Sequence, residues 1–187
     1  MKKLIFAAAL TLSVPAFAAP VTYKFDPSHT YPTYEVTHLG LSFFRGVFKS
    51  SSGKVTLDTA ARAGSIEAKI DTASIDMGID KLVKHLKSED FFNVEKFPEM
   101  TFRSSKLNFS GDNVASIDGV LTLLGVTKPV TLNVDYFKCA PHPMSKKPAC
   151  GANATATIKR SDFGMKYLVG PVSDEVKITL QVEAISE

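Results

Sequence analysis

The sequence predicts an all-β protein built from antiparallel strands, and three observations carry that reading. Seven segments alternate apolar and polar residues with period two. Each keeps one apolar face and one polar or charged face, as antiparallel sheet does when one side is wet; the unbroken apolar runs of a buried parallel strand are missing. One segment alone has helical spacing. Eight to nine strands in a single domain must fold over into a sandwich or close into a barrel.

The chain opens on a different pattern. Lys2 and Lys3 precede the apolar run Leu4–Val14, and Ala16-Phe17-Ala18 supplies a small–x–small site. Residues 1–18 therefore read as a secretory signal peptide cut after Ala18, which leaves residues 19–187 as one domain. The two lysines go with it, so the net charge falls from +3 to +1. A near-neutral product lacks the basic footprint of a nucleic-acid binder, and no nucleic-acid partner is expected. No later apolar run is long enough to span a bilayer, so membrane contact is expected to be transient at most.

The strands follow in order. Val21, Tyr23 and Phe25 alternate with Thr22, Lys24 and Asp26. Tyr34, Val36 and His38 alternate with Thr33, Glu35 and Thr37. A less regular strand covers Gly46–Asp58 and carries Phe48. Ile66, Ala68 and Ile70 form the next apolar face, and Glu99–Phe109 carries Phe102. Then come Ile117, Gly119, Leu121 and Leu123; Val130, Leu132 and Val134; Ala154, Ala156 and Ile158; and Val176, Ile178, Leu180 and Val182.

In Ile79–Lys87 the apolar residues Ile79, Leu82, Val83 and Leu86 fall at i, i+3, i+4 and i+7, an amphipathic helix. Asp76 or Asp80 is expected to cap its start, and Lys84 and Lys87 suit its C-terminal end. A short turn, Ser88–Asn93, presents Phe91 and Phe92. The segment is expected to cover one end of the sheet.

Enzyme motifs are missing: the sequence has no G-x-S-x-G, no H-E-x-x-H, no C-x-x-C and no phosphate-cradling glycine loop. His29, His38, His85 and His142 show no metal-ligand spacing, and no metal is expected. Arg160-Ser161-Asp162-Phe163-Gly164-Met165 joins a charge pair to a glycine turn. The simpler reading is an Arg–Asp pair that fixes a strand end. An enzyme using His29, His38 or Arg160 is the alternative, though nothing supplies a nucleophile, so no catalytic residue is assigned; a scaffold for protein interaction is a further alternative. Cys139 and Cys150 lie in the exported part and are expected to form a disulfide. A zinc site with His142 would have too few ligands.

The chain has 13 Phe and 5 Tyr but no Trp, and many of these aromatics lie on inward-reading faces. An eight-stranded barrel is filled by side chains or holds one small ligand. Small inward residues, Ala68, Gly119, Ala154 and Ala156, favour open space. The candidate lining of an apolar cavity is Tyr23, Phe25, Tyr34, Val36, His38, Phe48, Ile66, Ala68, Ile70, Phe102, Leu121, Leu123, Leu132, Val134, Ala156, Ile158, Ile178 and Leu180 from the strands. Leu82 and Leu86 of the helix, Phe91 of its following turn, and Phe163 and Met165 of the glycine turn complete it.

Ordered blocks along nearly the whole exported chain resemble the YceI-like family. They include Phe25-Asp26-Pro27-Ser28-His29-Thr30, Tyr34-x-Val36-x-His38-Leu39-Gly40, His85-Leu86-Lys87-Ser88-x-Asp90-Phe91-Phe92-Asn93-Val94, Phe97-Pro98-x-Met100-Thr101-Phe102, Gly125-Val126-Thr127-Lys128-Pro129-Val130 and Arg160–Met165. The sequence departs from the family pattern at Met77, where Thr is common, and at Leu82-Val83-Lys84, where an Arg-Asp pair commonly precedes His-Leu. The resemblance implies a lipocalin-like, extended antiparallel barrel of about eight strands around an apolar pore. It implies a bacterial periplasmic carrier of isoprenoid lipids, often a homodimer, with no agreed catalytic activity and no cofactor beyond the lipid. A prenylated quinone such as ubiquinone is preferred over a polyprenyl phosphate, because the only charge cluster reads as surface.

Overall fold

The computed structural model describes residues 19–187; the signal-peptide reading falls on residues outside these. Eleven strands form one antiparallel sheet: β1 (Val21–Phe25), β2 (Tyr31–His38), β3 (Ser42–Phe48), β4 (Ser51–Asp58), β5 (Ala63–Asp71), β6 (Ile75–Asp76), β7 (Glu99–Ser110), β8 (Asn113–Leu123), β9 (Val126–Pro141), β10 (Pro148–Lys159) and β11 (Glu175–Ser186). One helix, α1 (Asp80–Lys87), lies between β6 and β7.

The eleven strands reduce to eight staves. β1 and β2 both pair with β11, at Ala184–Ser186 and at Lys177–Gln181 respectively. β4 pairs with β1 and β3 with β2, so the first four strands make one long hairpin with its tip at residues 39–41. β5 and β6 continue the next stave, against β4 and β3. β7 to β11 follow as a meander, and the β1–β11 pairing closes the barrel. The expected closed barrel of about eight strands is the observed architecture.

The three breaks lie side by side, at residues 26–30, 49–50 and 72–74, and are stitched together. The Ser51 hydroxyl donates to Thr30 O (3.0 Å), Lys49 N to Ser74 O (3.2 Å) and Asp71 N to Ser50 O (3.1 Å). Each break changes which residues face inward. Phe48 before the break and Ser51 and Leu57 after it are all buried, so Gly46–Asp58 does not alternate as one strand. A bulge at Ser105 does the same in β7, moving the buried positions from Met100 and Phe102 to Leu107.

The expected helix cap is corrected. The helix has no side-chain cap: its N-cap is Ile79, and Asp76 instead accepts from Gly78 N (2.7 Å) and pairs with Lys49. Asp80 lies in the first turn, where its charge still suits the helix N-terminus. The expected disulfide forms within the sheet. β9 and β10 run on to Pro141 and Pro148, and Cys139 and Cys150 stand directly opposite each other as a disulfide, with Cα atoms 4.1 Å apart.

The meander fixes the two ends. One end carries the β2–β3 tip, the residue 77–98 insertion with α1, and the connection from β10 to β11. The other carries the disulfide hairpin and the two chain ends of the barrel.

Candidate functional site: an apolar cavity along the barrel

The barrel is hollow. A cavity of about 250 Å³ runs through it, and its wall is almost entirely apolar. Its lining reaches Leu86, Phe91 and Phe92 at the helix end and Phe137, Cys150 and Ala184 at the disulfide end. Val114 and Leu123, nine residues apart on β8, both border it. At about 3.3 Å per residue that is roughly 30 Å along the strand.

Most of the sequence-derived candidates meet at this cavity. Phe25, Tyr34, Val36, Phe48, Ile66, Ala68, Ile70, Leu86, Phe91, Phe102, Leu121, Leu123, Leu132, Val134, Ile158, Met165, Ile178 and Leu180 line it. Five do not. Tyr23 is buried among core side chains on β1. His38 ends β2 and stacks on Phe44, with ring centroids 4.3 Å apart and planes 10° from parallel. Leu82 is half-buried one turn before Leu86, where α1 meets the cavity only through its last turn. Ala156 is buried between Ala154 and Ile158, both on the wall, without bordering the void itself. Phe163 is buried in the short 3-10 turn Arg160–Phe163, away from the void.

Other wall residues escaped the sequence reading. Val55, Leu57 and Leu107 follow the break or the bulge in their strands, where simple alternation fails. Phe137 and Cys150 lie beyond the β9–β10 register shift at Asn153/Ala154. Gly119 was expected to leave open space, but the Phe102 ring fills the place of its missing side chain.

The few polar groups on the wall are mostly satisfied. Thr30 donates to Glu183 O (3.2 Å), and the Ser51 and Thr33 hydroxyls also donate to backbone carbonyls. Burial pushes the Tyr34 phenol up to about 12. Arg160 is the one charged residue on the wall among the described residues, and it is 3% exposed. It does not pair with Asp162. Its Nε donates to Ser173 O (2.9 Å), Nη1 to Met165 O (3.2 Å) and Tyr167 O (2.7 Å), and Nη2 to Val172 O (3.0 Å). One guanidinium thus gathers the whole β10–β11 connection. Burial lowers its pKa, and the field of Asp174 opposes that shift. The Asp174 carboxylate itself accepts from Ser161 N (2.9 Å) and Oγ (2.7 Å), and these bonds hold it below the usual carboxylate range.

The helix end is covered by rings. His85 meets Phe91 (5.0 Å) and Tyr167 (5.5 Å) edge-on, and Phe91 meets Tyr167 (5.6 Å). His29 and His38 share no cavity: His29 is exposed and bonded to Asp26 Oδ2 at 2.7 Å. The His142 Nδ1 accepts from Met144 N and Ser145 N in the disulfide hairpin. No group of three metal-ligating side chains converges among the described residues.

Comparison with known proteins agrees with this architecture. The model of the YceI-like domain matches residues 23–184. A UPF0312 protein of Pseudomonas aeruginosa is 38% identical over 192 residues, covering 100% of both chains. Protein YceI of Escherichia coli O157:H7 is 36% identical over 185 residues, 98% of this chain and 96% of that one. The crystal structure of Burkholderia cenocepacia BcnA superposes with a TM-score of 0.71 at 26% identity, over 85% of this chain and 98% of that one. A polyisoprenoid binding domain from Saccharophagus degradans has the same fold, with a TM-score of 0.67 at 16% identity over 89% of this chain and 99% of that one. With the family model covering nearly all the described residues, and full-length relatives above 30% identity, this chain belongs to the YceI-like family.

Proposed function

We propose that this protein binds one long isoprenoid lipid inside the barrel and carries or stores it in the bacterial periplasm, as a binding protein rather than an enzyme. The observation that carries the reading is the cavity: continuous from one end of the barrel to the other, and apolar nearly throughout. A prenyl chain laid there leaves water along its whole length, at about 25 cal/mol per Å² of apolar area. The polyisoprenoid binding domain of the same fold supports the choice of lipid. The signal-peptide pattern of residues 1–18 and the disulfide support export to an oxidising compartment. A quinone head is preferred to a phosphate, because among the described residues a single, largely engaged guanidinium is the only charge on the wall.

Native mass spectrometry of protein purified from the periplasm, followed by organic extraction, tests this. The expected result is a stoichiometric prenyl lipid released by the solvent. The same spectrum reads whether the protein forms a homodimer. Protein that is empty, or that carries only a mixture of phospholipid and fatty acid, would refute the proposal.

A further inference from the structure

Resting on the isoprenoid reading, we infer that Arg160 orients the ligand: an uncharged ring carbonyl at the head accepts a hydrogen bond from its free Nη2 N–H, and the prenyl tail runs toward the disulfide.

A guanidinium has five N–H groups. Four are spent on the carbonyls of Met165, Tyr167, Val172 and Ser173. The fifth meets no protein acceptor among the described residues, although Arg160 is almost fully buried and borders the cavity. A buried donor on a charged group gains more from an acceptor than a neutral donor does. The wall offers nothing comparable at the other end, where Leu57, Phe137, Cys150 and Ala184 line it. Among the described residues the wall is therefore charged at one point only, close to the helix end, while the Thr30, Thr33 and Ser51 hydroxyls are spent on backbone carbonyls, and a chain with one polar terminus has one favourable direction.

The same surroundings select the charge of the head. Four carbonyl dipoles already face the guanidinium, and the field of Asp174 reaches it. What Arg160 has left to give is a directed N–H and little net positive potential. Among the described residues, no lysine, histidine or second arginine shares the wall. A phosphate or diphosphate placed there would bury its negative charges against one compensated cation, which is costly. A ring ketone or quinone oxygen needs only the hydrogen bond.

The unaltered protein suffices for the test, so folding of a variant does not enter. A farnesyl ether of benzophenone, a neutral ketone head on a prenyl tail, is bound and photolysed, and the labelled peptides are mapped by mass spectrometry. Labelling is expected at the helix end, on Leu86, Phe91, Met165 or Val172. A farnesylated benzoquinone is expected to displace the probe at about tenfold lower concentration than farnesyl diphosphate. Labelling at Phe137, Cys150 or Ala184, or equally at both ends, would overturn the orientation with the lipid reading intact. Equal or better competition by the diphosphate would overturn the uncharged head. Absence of both labelling and competition by any prenyl compound would remove the lipid reading itself, and this inference with it.

Discussion

Tyr34 on β2 stands directly opposite Gly46 on β3, and its ring lies where a side chain at Gly46 would be: a methyl there would sit 2.5 Å from Tyr34 Cε1 and Oη. Phe25 lies over Gly53 in the same way, and Phe102 over Gly119. Three large rings are thus drawn flat against neighbouring strands at positions that have no side chain. In a filled barrel such rings would point to the axis. Here they pave the wall and leave the lumen open.

Gly46→Ala is therefore expected to push the Tyr34 ring off the wall into the cavity. The ring end can move, so the cost should fall at the low end of overpacking, about 1 kcal/mol. Prenyl-lipid binding should weaken, and the double variant Gly46→Ala with Tyr34→Ala should recover it. Thermal melts and ligand titration read the two effects separately. Unchanged binding in the single variant would mean that Tyr34 does not border the bound chain.

Ala68 and Ala156 offer a matched pair. Both are inward alanines, but only Ala68 borders the void. Ala68→Phe places its ring where the chain would run. It should lose the co-purifying lipid while melting within a few degrees of the lipid-free parent. Ala156→Phe must force its ring among packed neighbours, with a loss of about 1–3 kcal/mol. Equal destabilisation by both would show a packed interior with no room for a chain.

The Asp26–His29 turn sets a pH window. Hydrogen bonds from the Ser28 hydroxyl, His29 and Ser28 N, the first the largest cause, hold Asp26 at about 2 against an ordinary 3.8. The bond to Asp26 raises His29 above 6.5. The Asp26 contribution is thus full above 3.8 and lost as pH falls toward about 2. The His29 contribution is full below 6.5 and lost as pH rises through its raised value. Asp26→Asn should return the His29 titration, followed by NMR, toward 6.5. A His29 that titrates identically in both proteins would disprove the linkage.

Removing the disulfide should loosen one hairpin and leave the barrel. Cys139 and Cys150 close a short loop, 11 residues apart in sequence, for which chain entropy gives about 2–3 kcal/mol. β10 stays bonded to β11 from Ala149 to Lys159 without it. The double alanine variant should lose about that much in urea unfolding and keep its far-ultraviolet circular dichroism. Loss of the sheet signal would place the disulfide among the supports of the whole barrel.

The fold was legible wherever one strand keeps one parity. β2, β5 and β11 alternate cleanly, as does β8 from Ile117 on, and their apolar faces could be read from that alternation. Legibility failed where the backbone changes parity without a sequence signal strong enough to mark it. Lys49-Ser50 and Ser105 are ordinary polar residues, yet each turns the following side chains to the opposite face. Arg160 and Asp162 look like a pair in sequence, but the guanidinium's partners are carbonyls up to 13 residues away, which only the folded connection brings together. Ala156 shows a further limit: alternation tells which way a residue faces, not whether neighbours cover it.

A chain threaded along the cavity is tested most directly by nuclear Overhauser contacts between a protonated prenyl quinone and the methyl-labelled, otherwise deuterated protein. Contacts are expected from successive isoprene units to Ile178, Leu180, Ile66, Leu121 and Leu132, which come from four strands and all line the cavity. Contacts confined to exposed residues such as Leu39, Leu41 and Val169, with none to these five, would place the lipid outside the barrel and contradict the proposal.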